Sequence, residues 1–100
     1  MRLALLSGAC KLSFATNAAE KSITKQAKKN HFVRNWWNRV KKILEEGKKA
    51  PDEHTLTGKG ELGGRLAASV DNGSKGKGGL RLIIERVDGE VIIHGMTDYH

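Results

Sequence analysis

A hairpin in the last quarter of the chain constrains the fold more than any other feature. Two apolar-rich runs, residues 80–87 (LRLIIERV) and 90–95 (EVIIHG), are separated by Asp88 and Gly89 alone. A two-residue connection of this kind needs positive φ angles, which Asp and Gly tolerate, and it makes the flanking runs pair antiparallel. Alternation then sends Leu80, Leu82 and Ile84 to one face and Arg81, Ile83 and Glu85 to the other. A second alternating run sets Leu66, Ala68 and Val70 against Arg65, Ala67 and Ser69, and predicts a further half-buried strand. The intervening stretch, residues 71–79 (DNGSKGKGG), reads as a glycine-rich loop outside any sheet. Its backbone amides, with Lys75 and Lys77, could also form an anion nest.

Ahead of Pro51 the period changes from two to about 3.6 residues. Asn17, with Glu20 three residues on, marks a helix start, and Ala19, Ile23 and Ala27 recur along one stripe. Lys28, Lys29 and Asn30 mark its end, with Asn30 suited to a left-handed stop. A second helix follows, with Val33, Trp36, Trp37, Val40, Ile43 and Leu44 on its apolar face. Shared membership of that stripe makes the two tryptophans core residues rather than a base-stacking surface. Residues 48–64 (KKAPDEHTLTGKGELGG) read as an irregular connector, and Leu12 and Phe14, alternating with Lys11 and Ser13, as a first strand burying one face. The expected architecture is α+β: an N-terminal strand, then two helices packed on a small antiparallel sheet with a C-terminal hairpin. At 100 residues it forms one domain, 1–100.

Charge divides the same way. Before Pro51 there are 12 Lys or Arg against 3 Asp or Glu; from Pro51 on there are 6 against 8, which together give the overall +7. Ten cations against two acids between Lys21 and Lys49 exceed what solubility requires and point to a polyanion, with Arg34, Arg39, Lys41 and Lys42 as candidate phosphate contacts. The apolar run Leu3–Leu6 is too short for a secretory segment or a bilayer span, so a soluble, cytoplasmic chain without a membrane partner is expected. One cysteine, Cys10, permits neither an internal disulfide nor a multi-cysteine zinc site. The four histidines lack metal-ligand spacing, so neither metal nor cofactor is expected.

The chemistry-bearing residues of the second half converge. Arg65, Arg81, His94, Tyr99 and His100 come from adjacent predicted strands or their ends, so a sheet can gather them on the face its helices leave uncovered. Metal-free RNA cleavage needs such a set: a base for the ribose 2′-OH, cations for the phosphorane and an acid for the leaving 5′-oxygen. Imidazole serves either proton-transfer role, and the guanidinium fork binds phosphate oxygens in pairs.

The order of elements, together with FVRNWWNRVKKILEEG, APDEHTLTGKGELGG, LRLIIERVDGEVIIHG and the ending TDYH, resembles the RelE/YoeB-like toxins of toxin–antitoxin modules over residues 11–100. Leu56, Thr57 and Gly58 match that family's Leu-x-Gly step, Arg81 its hairpin arginine, and Tyr99 and His100 its aromatic or histidine tail. The resemblance implies an endoribonuclease that cleaves mRNA, on the ribosome, and is neutralised by a cognate antitoxin. It implies that Arg81 binds the scissile phosphate, with Tyr99 and His100 as stacking and acid/base groups and Glu53 as a candidate carboxylate. Two other readings stay open at this point. One is a tRNA-cleaving domain of a secreted polymorphic or contact-dependent toxin, which would lean on His94 and the Lys-rich loop. The other is a non-enzymatic basic nucleic-acid-binding or gyrase-directed module.

Overall fold

The Asp88-Gly89 turn forms with φ of 47° and 78° and joins two strands of a five-stranded sheet. The computed structural model describes residues 10–56, 65–73 and 79–98. Along the chain these form β1 (Lys11–Phe14), α1 (Asn17–Lys29), α2 (His31–Glu45), β2 (His54–Thr55), β3 (Leu66–Ser69), β4 (Leu80–Val87) and β5 (Glu90–Asp98). The sheet order is β1-β5-β4-β3-β2. All neighbours are antiparallel except β1, which lies parallel to β5 with Leu12 opposite Val91. The fold is therefore α+β, as expected, with both helices on one face of a mostly antiparallel sheet and β1 as its parallel edge strand.

The core lies between sheet and helices. Leu80, Leu82, Ile84, Val91, Ile93 and Met96 meet Ile23, Val33, Trp36, Trp37, Val40 and Leu44 there, all of them buried. Burying the α2 stripe removes two indoles and three aliphatic side chains from water, each worth about 1.5–3 kcal/mol or more. Ile43 lies at the edge of the stripe and is half-buried.

Several local expectations shift. Thr16, not Asn17, caps α1: its Oγ1 accepts from the Ala19 amide at 3.0 Å. Asn30 is extended (φ −144°) rather than left-handed, because it ends α1 while also capping α2, its Oδ1 accepting from the amides of Phe32 and Val33. Phe14 ends β1 at 38% exposure, so only Leu12 of the expected pair packs against the core. The connector is not wholly irregular, since His54 and Thr55 pair with Ala67 and Leu66. Ala67 and Ala68 are both buried, because Leu56, Ala67 and Ile83 form a second apolar cluster on the sheet face away from the helices.

One irregularity interrupts the β4–β5 pairing. Ile83 pairs with Gly95 and Ile84 with Ile93, so His94 is an extra residue in β5, a β-bulge. Gly95 carries φ +110°, and a Cβ there would lie 2.5 Å from Ser22 Oγ and 3.3 Å from the Ala19 Cα. Only glycine lets α1 approach this closely. Ser22 Oγ accepts from the Met96 amide at 3.1 Å and donates to the Ala19 carbonyl at 2.7 Å, tying helix to bulge. Gly95→Ala is expected to cost about 2–3 kcal/mol through backbone strain and overpacking, read as a lower midpoint in urea denaturation.

Candidate active site

Strand alternation sorts the chemistry by side. With Leu80, Leu82 and Ile84 packed under the helices, Arg81, Ile83 and Glu85 of β4 occupy the outer face. Ser69 of β3 and Thr97 of β5 both pair with Arg81, so these three form one row across the sheet. Asp52 extends the row, its Oδ2 accepting from Ser69 Oγ at 2.8 Å. Beside this row lie Ile83, Ala67 and Leu56, an apolar floor.

Arg81 is half-buried, and its Nη1 donates to the Leu80 carbonyl at 3.2 Å. Leu80 in turn pairs with Asp98. Tyr99 and His100 follow Asp98 directly in sequence and lie outside the described residues, as do Lys75, Lys77, Thr57 and Gly58.

Further along the outer face, His94 Nε2 sits 3.0 Å from Glu85 Oε1, with the imidazole side chain 17% exposed and the carboxylate side chain 43%. About three residues of β5 separate His94 from the Arg81 row, roughly 10 Å at ~3.3 Å per residue. His54 faces Ala67 from the edge strand, its Nδ1 3.2 Å from the Asp52 carbonyl. Arg65, just ahead of β3, is half-buried, and its carbonyl accepts from the Leu56 amide at 2.7 Å.

Other candidates sit elsewhere. Glu53 is tied to Arg86: its Oε1 accepts from Arg86 Nη2 at 2.8 Å and from the Ala50 amide at 2.8 Å, its Oε2 from Arg86 Nε at 3.3 Å. Its side chain is 3% exposed, and Arg86 projects from the face of β4 opposite Arg81. A paired, buried carboxylate of this sort braces the connector against β4, and removing one partner would strand the other's charge. Arg34, Arg39, Lys41 and Lys42 all belong to α2, in the layer across the sheet from Arg81. Arg34 lines a groove of about 370 Å³ between the helices with Ile23, Ala27, Lys28 and Trp37, and Lys41 Nζ lies 5.9 Å from the Trp37 ring centroid. The candidate cations are thus divided between two sides of the molecule.

Two features escaped sequence reasoning. The Glu85 partner of His94 was not anticipated, although a lone glycine inside a strand pattern, Gly95, is the usual mark of a bulge. The Arg86–Glu53 pair had no local signal, its members being 33 residues apart. Among the described residues, no three His, Cys, Asp or Glu side chains cluster as metal ligands, and no helix is long and apolar enough to cross a membrane.

The architecture has a solved counterpart. YafQ from E. coli strain BL21(DE3) superposes with a TM-score of 0.65 over 89% of this chain and 92% of that one, at 17% sequence identity. The fold is therefore similar to that of YafQ. No protein-family model and no curated protein sequence matches the chain. The likeness therefore lies in the three-dimensional arrangement of helices and sheet.

Proposed function

We propose that this chain is an endoribonuclease toxin that cleaves mRNA on the ribosome, without a metal ion, and is held inactive by a cognate antitoxin. The observation that carries the reading is the placement of Arg81 and His94 on one sheet face of a RelE-like fold, beside the strand that leads into Tyr99 and His100. In this reading Arg81 binds two non-bridging oxygens of the scissile phosphate and gains strength as the phosphorane develops. His94 takes the 2′-OH proton, the 2′-oxygen attacks phosphorus, and the bond to the 5′-oxygen breaks. His100 supplies the proton to that leaving oxygen, and Tyr99 stacks on the neighbouring base. The products are a 2′,3′-cyclic phosphate and a free 5′-hydroxyl.

In the same reading Arg65, Lys75 and Lys77 hold flanking phosphates. Arg34, Arg39, Lys41 and Lys42, across the sheet, serve a separate backbone contact, as expected when ribosomal RNA surrounds the bound message.

The test is incubation of the purified protein with mRNA, free or ribosome-bound, with EDTA present. Cleavage of the ribosome-bound message with cyclic phosphate ends is the expected result. Absence of cleavage in both samples would overturn the proposal. Removing Tyr99 and His100 is expected to abolish cleavage with the unfolding midpoint unchanged, because the core of the described residues is built from positions up to Met96. Full activity in the shortened chain would place the acid elsewhere.

A further inference from the structure

We infer that Glu85 is a positioning residue that holds the His94 ring in one tautomer, with the proton on Nε2, so that Nδ1 is the nitrogen that accepts the 2′-OH proton. Its catalytic meaning rests on the nuclease reading above; its structural content rests on geometry alone. An ionised carboxylate offers only acceptors, so neutral imidazole meets it only through an N–H. The contact at 3.0 Å is to Nε2, which assigns the proton there and the lone pair to Nδ1. Which nitrogen is basic is therefore set by the partner of the other.

The surrounding backbone makes this a held arrangement rather than a passing surface contact. His94 is the unpaired residue of the β5 bulge, and the residues after it are fixed to α1 through the Ser22 contact with Met96 and the close approach at Gly95. The imidazole is largely covered while its partner carboxylate keeps contact with water, so the pair orients the ring without burying an unpaired charge. The other described histidines lack this feature: His31 stacks on the Phe32 ring at 4.2 Å, and His54 meets a backbone carbonyl.

During reaction the 2′-O–H bond breaks, its proton passes to Nδ1 and its electron pair forms the new bond to phosphorus. The imidazolium that results has both nitrogens protonated and faces the Glu85 carboxylate, which favours that charge. The same logic operates where an aspartate orients a catalytic histidine. Because Glu85 is well exposed, the effect is smaller than in a fully buried pair.

The decisive measurement is a two-bond proton–nitrogen correlation spectrum of the histidine rings in the full chain at about pH 8, where imidazole is mainly neutral. Wild type is expected to show His94 as the Nε2–H tautomer. Glu85→Ala is expected to mix the tautomers, and Glu85→Gln, which keeps an acceptor oxygen, to retain Nε2–H. In RNA cleavage, Glu85→Ala should lower kcat about tenfold with KM unchanged. An Nδ1–H tautomer in wild type, or an unaltered pattern in Glu85→Ala, would overturn the inference. If Glu85→Ala does not fold, an Nδ1–H tautomer in wild type still overturns the inference. The expected tautomers together with no RNA cleavage by wild type would uphold the positioning role and reject the nuclease reading instead.

Discussion

Arg81→Ala is expected to reduce RNA turnover about a hundredfold or more while leaving the urea unfolding midpoint nearly in place. Two observations separate the effects. The guanidinium stands in the outer-face row with Ser69 and Thr97, where a phosphate can approach it. The Leu80 carbonyl that it contacts also accepts from the Val70 amide at 3.0 Å, so that oxygen keeps a backbone partner after the substitution. Arg81→Lys restores charge without the two-pronged geometry and is expected to recover only part of the loss. Single-turnover cleavage on a fixed RNA is the measurement, and unchanged rates in Arg81→Ala would remove this residue from the site.

Trp37→Ala is expected to have the opposite signature, a loss of about 3–5 kcal/mol in stability with little change in cleavage per folded molecule. The indole is 7% exposed and packs with Trp36, Ile23 and Val40 beneath the sheet. The Lys41 ammonium lies over the ring, 5.9 Å from its centroid. Denaturant titration and RNA-binding assays on the same sample distinguish the roles. A variant as stable as wild type but weaker in RNA binding would make Trp37 a stacking surface rather than core.

The parts of the fold that could be read from the sequence are those whose determinants are local. Asp88 and Gly89 specify their turn from two adjacent residues, and the stripe from Val33 to Leu44 repeats within one helix. The parallel pairing of β1 with β5 has no such signature, since Leu12 and Val91 meet across most of the chain. β2 is two residues long, too short for any period to register. At the start of α1, Thr16 and Asn17 are both good caps, and only the backbone angles decide between them. The site followed the same rule. Alternation alone sends Arg81 away from the helices, whereas nothing local to Glu53 announces its bond to Arg86, 33 residues on. The α2 cations shared a charge sign with the sheet residues but not a side of the molecule, and net charge carries no such direction.

The place of β5 in the sheet sets the order in which folding can proceed. It is the last of the described strands, yet it is the strand on which β1 hydrogen-bonds and against which α1 rests through Ser22, Gly95 and Met96. A ribosome that has released everything up to β4 has therefore produced helices with only part of their sheet to cover and a first strand with nothing to pair with. Such distant pairing is slow to form, because chain entropy is spent before the contacts repay it. Assembly waits on residues near position 98, and a growing polypeptide acquires its outer face, with the imidazole and guanidinium in place, only once synthesis has passed that point.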